Sequence, residues 1–475
     1  MSSPSRTFAP APTHLPGLDH VLSGGLPAGR TTLVCGGPGC GKTVLAMEFV
    51  ARGALHGEPG VFVSFEQTAQ ELEADFGSLE LDLAALSQEG TFRLHHVGLG
   101  EPDIPATGRY TLDGLLVQLD QVIDSIGATR MALDTLETLF ARLGNSAELR
   151  SEMRRLFRWL QERGVTTVVT GEAGVDTLTR SGLEEYVSDC VIRLDHRVTA
   201  EVSTRRARVL KYRGAPHSTN EHPFLIGHRG ITLIPIDARP LDHPAPVGRI
   251  STGIDGLDRM FGGEGYFRGA SVLVSGEAGT GKSSIGAAYV NATCQRGERA
   301  LYVAFEESQA QIVRNMRSVG LHLEPWLDQG LLRIQARRPS QLGLEEHLRE
   351  MEDALDEFQP TAVVVDPVTN LINVGTPATT LAMLTRLVDS LKSREVTGLY
   401  TSLDPGSEGA TAQRVGVSSV MDTWIEVLNL HRGPEESRGI YIIKSRGMGH
   451  AHRMHRLELS DAGVRVGKGL QGGPP

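Results

Sequence analysis

Gly36-Gly37-Pro38-Gly39-Cys40-Gly41-Lys42-Thr43 and Gly276-Glu277-Ala278-Gly279-Thr280-Gly281-Lys282-Ser283 both read G-x-x-x-x-G-K-[ST], and their lysines stand 240 residues apart (282 − 42). In this pattern glycines let the backbone turn so tightly that successive N–H groups face inward onto phosphate oxygens. The helix that follows directs its positive end at the same oxygens. Gly36, Gly39 and Gly41, with Gly276, Gly279 and Gly281, are expected to form the two cradles. Lys42 and Lys282 should reach the β- and γ-phosphates of ATP, and the Thr43 and Ser283 hydroxyls should ligate Mg²⁺. Ser284, next to Ser283, is placed in the same pocket. Apolar runs at 32–35 and 271–275 precede the loops, and helix-forming stretches at 44–52 and 285–294 follow. A chance glycine-rich turn would not bring a strand and a helix with it twice.

The 475-residue chain is 40% hydrophobic and 22% charged, an ordinary globular composition with length for two or three cores. Its formal net charge of −10 argues against a constitutive nucleic-acid binder. No run approaches the ~18 apolar residues of a membrane span, and Met1-Ser2-Ser3-Pro4 has no basic-then-apolar signal region. A cytoplasmic location is expected. Cys35, Cys40, Cys190 and Cys294 form no CxxC pair, so they read as reduced, buried thiols. The 16 histidines show no zinc-like pairing.

The repeat extends beyond the phosphate loops. Gly17-Leu18-Asp19 with Gly24-Gly25 matches Gly256-Leu257-Asp258 with Gly262-Gly263. Val61-Phe62-Val63-Ser64-Phe65-Glu66 matches Leu301-Tyr302-Val303-Ala304-Phe305-Glu306, again offset by 240. Met131-Ala132-Leu133-Asp134 and Val363-Val364-Val365-Asp366 are apolar strands ending in an acid. Lys211-Tyr212-Arg213-Gly214 with His217 matches Lys444-Ser445-Arg446-Gly447 with His450, offset by 233 (444 − 211). A tandem duplication explains the shared order. The expected domains are 1–238 and 249–466, joined by a proline-bearing linker at 239–248 and followed by a short Gly/Pro tail at 467–475.

Short apolar strands alternating with amphipathic helices predict an α/β fold in each copy, a mostly parallel sheet covered on both faces. Ligands then bind beyond the carboxyl ends of the strands. Asp134 and Asp366 fall where a Walker-B-type acid supports Mg²⁺. Alone, an acid after an apolar run reads as a cap or turn; its recurrence favours the metal-supporting role. Glu66 and Glu306 can polarise a water or hydroxyl for attack on the γ-phosphorus, although solvated strand ends would look the same. The next residue is Gln67 in one copy and Glu307 in the other. Adjacent side chains alternate in direction, so one of the pair Glu306 and Glu307 is expected to face the nucleotide.

With these residues assembled, the chain resembles the KaiC family, duplicated RecA-like ATPases and autokinases of circadian clocks. The segments that carry the resemblance are Phe65-Glu66-Gln67-Thr68, Phe305-Glu306-Glu307-Ser308, Gly182-Leu183-Glu184-Glu185-Tyr186-Val187-Ser188-Asp189 and both Lys-x-Arg-Gly-x-x-His endings. The resemblance implies two tandem RecA-like P-loop domains, six chains stacked as a double-ring homohexamer, and ATP between neighbouring subunits. It gives Lys211, Arg213, His217, Lys444, Arg446 and His450 a role at the neighbour's triphosphate. Without the family they read as solvated basic residues.

By the 233 offset, Glu185 and Tyr186 correspond to Ser418 and Ser419. The resemblance makes these serines the phosphoacceptors of the second ring, where the family carries Ser-Thr; taken alone, they read as a turn. It implies slow hydrolysis in copy one, with Glu66 positioning water, and transfer to serine in copy two, with Glu306 as general base. The chain's last residues, from Gly467, lack the helix-and-tail segment gripped by a KaiA-like activator, so dependence on one is not expected. A KaiB-like or histidine-kinase signalling partner is compatible with the resemblance. Two other readings stand beside it: a nucleotide-switched scaffold that does not phosphorylate itself, and a RecA/DnaB-like DNA motor. The best basic cluster for the motor, Arg205-Arg206-Ala207-Arg208, lacks the aromatic residues of a strand-binding loop.

Overall fold

A computed structural model describes residues 9–98, 112–140, 146–174, 179, 188–199, 202–236, 245–403, 417–432 and 435–470. The chain forms two compact units that meet in sequence between Arg239 and Pro240. Each contains a nine-stranded sheet. In the first, the spatial order is Gly230–Leu233, His222–Gly227, Val202–Tyr212, Cys190–Thr199, Thr31–Gly36, Thr166–Glu172, Arg130–Asp134, Gly60–Ser64, Phe92–His96. The second repeats this order strand for strand, from Gly463–Gly469 through the central Ser271–Gly276 to Leu332–Ala336. Strands around each phosphate loop pair in parallel, and the far edge is antiparallel.

Alternation across the strands shows why the sheet must be covered twice. Phe62, Ala132, Val168 and Val34 enter one core with Phe49 and Val50 of the helix Lys42–Leu55. Their neighbours Val61, Val63, Met131, Leu133 and Val169 enter another core with Leu119 and Leu156. Successive side chains of a strand face opposite ways, so a run apolar at every position needs helices on both faces. The expected α/β architecture is the one observed.

The strand Gly463–Gly469 extends past the boundary drawn at 466, because Gly469 still pairs with His455. Residues 467–469 therefore belong to the sheet and not to a tail. Residues 471–475, most of the proposed linker and the segment Gly182–Val187 with Glu185 and Tyr186 lie outside the described residues. All four cysteines are buried and none forms a disulfide. Burial pushes the Cys190 thiol up to about 12 and the Cys294 thiol up to about 11. No helix among the described residues is long and apolar enough to cross a membrane.

A buried arginine in the first copy has no counterpart in the second. Arg130 opens its strand where Ala362 opens the equivalent one. Its guanidinium is buried and donates to Glu58 Oε2 at 2.5 Å, the Phe49 carbonyl at 3.0 Å and the Pro12 carbonyl at 2.6 Å. It ties the entry segment to the P-loop helix. A Cβ on Gly53 would come within 2.4 Å of it, so that helix position needs glycine. Arg130→Met is expected to destabilise the first unit by about 1–3 kcal/mol, since it leaves the Phe49 and Pro12 carbonyls without their donor while the half-exposed Glu58 returns to solvent. Urea unfolding followed on the first unit's Trp159 reads this directly.

Candidate nucleotide site

Gly41 and Gly281 stand at the N-caps of the P-loop helices Lys42–Leu55 and Lys282–Gln295, with φ of 101° and 100°. That left-handed conformation is open to glycine at little cost. A Cβ would also strike Ile226 or Leu459, at 2.7 and 2.8 Å. Gly39 and Gly279 face open space, the concavity a triphosphate would fill. Gly36 and Gly276 lie against the neighbouring strand, where a Cβ would come within 2.4 Å of the Leu194 carbonyl or 2.2 Å of the Val427 carbonyl.

Lys42 Nζ donates to the Gly36 and Gly37 carbonyls at 3.0 and 2.9 Å. Lys282 Nζ makes the equivalent bonds to Gly276 and Glu277 at 2.8 and 2.6 Å. Both amines are held across the loop mouth by weak neutral acceptors that a phosphate can replace. Burial holds the Lys282 pKa down, opposed by Asp366, Glu306 and Glu277.

Ser64 pairs with Asp134 and Ala304 with Asp366, so each Walker-type acid ends beside the strand that leads to Glu66 or Glu306. Thr43 Oγ1 donates to Asp134 Oδ2 at 3.0 Å. Oδ1 accepts from Thr170, and burial raises the acid's pKa against these bonds. Asp366 Oδ1 accepts from Thr401, while Oδ2 accepts from Tyr302 at 2.5 Å. Thr170 and Thr401 are equivalent, each facing the same point of its P-loop strand. Sequence reading missed them, although a threonine recurs at that strand position in both copies. A hydroxyl and a carboxylate converging at a phosphate loop are the hard oxygen donors Mg²⁺ prefers. Among the described residues no cluster of three or more His, Cys, Asp or Glu forms a self-sufficient metal cage, so the metal would be held jointly with the triphosphate.

The strand-end acids are oriented in the same way. Glu66 accepts through Oε1 from Thr138 at 2.5 Å and Thr135 at 3.3 Å. Glu306 accepts through Oε1 from Asn370 at 3.0 Å. Thr138 and Asn370 are the fourth residues after Asp134 and Asp366. Each carboxylate is exposed and fixed by one oxygen. Glu307, grouped with the catalytic acids from sequence, is engaged elsewhere: Asn315 Nδ2 donates to it at 2.7 Å. Gln67 likewise donates to Asp75 at 2.8 Å, so amide and acid have exchanged places between copies. Thr68 and Ser308, which end the two motifs, cap the following helices in capping boxes with Glu71 and Gln311. Ser284 is buried in the P-loop helix.

The Lys-x-Arg residues stand away from the phosphate loop of their own domain. Lys444 pairs with Trp424, and Trp424 with Leu273, at the start of the P-loop strand and not at its loop end. Its Nζ donates to the Ser418 carbonyl at 2.5 Å, and Arg446 donates to the Ser419 carbonyl at 2.9 Å. Burial lowers the Lys444 pKa, Arg446 and Lys392 add to this, and Asp422 opposes it. Lys211 donates to the Ser188 carbonyl at 2.7 Å, and Arg213 lies 3.8 Å from Asp189. His217 stands beside Tyr212, and His450 bonds the Met448 carbonyl at 3.4 Å.

The same two-copy pattern defines a known family. The family description "ATPase: KaiC" matches residues 11–238 and again 250–471. The chain belongs to the KaiC family. It is 48% identical over 466 residues to the circadian clock protein KaiC2 of Synechocystis sp. (strain ATCC 27184 / PCC 6803 / Kazusa), covering 98% of this chain and 82% of that one. It is 34% identical to KaiC3 of the same organism, over 96% of this chain and 91% of the relative. It is 33% identical to the circadian clock oscillator protein KaiC of Synechococcus elongatus (strain ATCC 33912 / PCC 7942 / FACHB-805), over 98% and 90%. As a KaiC-family ATPase it carries the ATP pocket twice.

Proposed function

We propose that the chain is an autophosphorylating KaiC-type ATPase that works as a double ring of six subunits. Its first domain, to residue 238, hydrolyses ATP. Its second, from residue 249, phosphorylates Ser418 or Ser419 and signals through that state. One observation carries this reading. Ser418 and Ser419 lie on one helical turn at 417–420, whose carbonyls are gripped by Lys444 and Arg446. Acceptor hydroxyls and cations thus form one block at the end of the sheet remote from their own phosphate loop. In a ring, that block would meet the neighbour's triphosphate, as an in-trans arginine does in other nucleotide hydrolases.

ATP supplies the phosphoryl group when bound. Lys282 and the loop N–H groups would hold its phosphates, and Ser283 with Asp366 would support Mg²⁺. Glu306 Oε2, left open by the Asn370 bond, would take the proton from the serine hydroxyl as its oxygen bonds to the γ-phosphorus and the bond to the β–γ bridging oxygen breaks, with ADP as the leaving group. In the first pocket Glu66 orients a water in the same way. A phosphoserine adds about −1.5 to −2 charge beside Lys444 and Arg446 and alters the contacts they make. Intact mass after incubation with Mg-ATP tests the proposal. One or two added phosphates are expected, absent from Ser418→Ala/Ser419→Ala. An unchanged mass while ATP is consumed leaves the nucleotide-switched scaffold.

A further inference from the structure

We propose that Tyr302 sets the Mg²⁺ requirement of the second pocket, making it hold the metal less tightly than the first. This rests on the reading of that pocket as a Mg-ATP site, and not on phosphoserine formation. Tyr302 and Phe62 are equivalent, 240 residues apart, and sit in the same register against Val364 and Ala132. Both are fully buried in the cores beneath the P-loop helices. The difference is one hydroxyl.

That hydroxyl changes who holds the Walker-type acid. In the first pocket Asp134 Oδ2 is met by Thr43, the metal-ligating hydroxyl itself, at 3.0 Å. In the second, Asp366 Oδ2 is met by Tyr302 at 2.5 Å, and the phenol also lies beside the Ser283 hydroxyl. Thr401 takes Oδ1, as Thr170 does in the first pocket. Both oxygens of Asp366 therefore accept from hydroxyls fixed in the core. A carboxylate oxygen has two lone pairs, and a hydrogen bond to one draws charge from the other. Thr43 can turn toward a metal and release Asp134; Tyr302 is locked in the core and stays. A buried tyrosine in this unit need not make such a contact: the hydroxyls of Tyr266 and Tyr400 find no partner.

The test resolves the two pockets in the full-length chain. Photolabelling with 8-azido-ATP across a Mg²⁺ titration, followed by peptide mass spectrometry, gives a half-saturating Mg²⁺ concentration for each pocket. Tyr302→Phe is expected to lower that value about fivefold in the second pocket, the effect of one ordinary net hydrogen bond, and to leave the first unmoved. The reverse swap, Phe62→Tyr, is expected to raise the first pocket's value. A shift under twofold in the second pocket overturns the proposal, as does an equal loss of labelling in EDTA, which would make Tyr302 a packing residue only. Labelling does not require phosphoryl transfer. A chain that never forms phosphoserine removes the proposed kinase function, and this inference would still be read.

Discussion

Two chains that each fail to become phosphorylated are expected to succeed when mixed. Lys282→Ala keeps both acceptor serines but loses the lysine of the second pocket. Ser418→Ala/Ser419→Ala keeps the pocket but has no acceptor. Alone, each should stay unmodified; co-assembled, phosphate should appear on the Lys282→Ala chain only. The geometry within one subunit makes this a demanding test. Asp422, four residues after Ser418, accepts from Ser271 at the first residue of the P-loop strand. The phosphate loop begins at Gly276, about 16 Å further along at roughly 3.3 Å per residue. Lys444 and Arg446 hold the 417–420 turn by its carbonyls, so the acceptors cannot swing to their own loop without breaking those bonds. Transfer across an interface predicts a gain of at least about 100-fold in phosphoserine on mixing, the scale of removing a charge-stabilising group from a transferring phosphoryl. If the mixture stays blank while both chains enter one ring, the neighbour-directed reading fails.

How much of this was legible in the chain depends on whether a residue acts through its backbone or through distant partners. The phosphate loops were legible because glycine spacing is a local constraint: Gly41 and Gly281 must adopt φ near 100°, and only neighbouring residues decide that. Asp134 and Asp366 were legible through their recurrence at strand ends. Thr170 and Thr401 were not, because a threonine in an apolar strand looks like any β-former; only the sheet order places it beside the acid. The pair Glu306-Glu307 shows the limit from the other side. Alternation says the two side chains diverge, but not which one faces the loop. Asn315, in the following helix, decides it by engaging Glu307. The capping role of Thr68 and Ser308 was present in the sequence as T-x-x-E and S-x-x-Q. The phosphate-site motif that precedes it masks this local role in the sequence.

Glu306→Gln is expected to slow phosphoserine formation by about 10²- to 10⁴-fold, the usual weight of a general base, and to leave the fold intact. The orienting bond survives the change, since a glutamine Oε1 still accepts from Asn370 as Glu306 Oε1 does at 3.0 Å. What is lost is the ability to take a proton. Glu66→Gln should do the same to hydrolysis in the first pocket, where Thr138 and Thr135 hold the side chain by Oε1. Glu307→Gln is the discriminating control. Its counterpart Gln67 is already an amide, bound to Asp75 at 2.8 Å, so that position does not need an acid for the fold. It should retain phosphorylation within a few-fold. Rates of phosphoserine appearance and of phosphate release, measured on the same three variants, separate the tiers: Glu306→Gln should spare most of the release, Glu66→Gln most of the phosphoserine. Should Glu307→Gln prove as damaging as Glu306→Gln, the single oriented carboxylate would be the wrong account, and proton transfer would have to involve both acids.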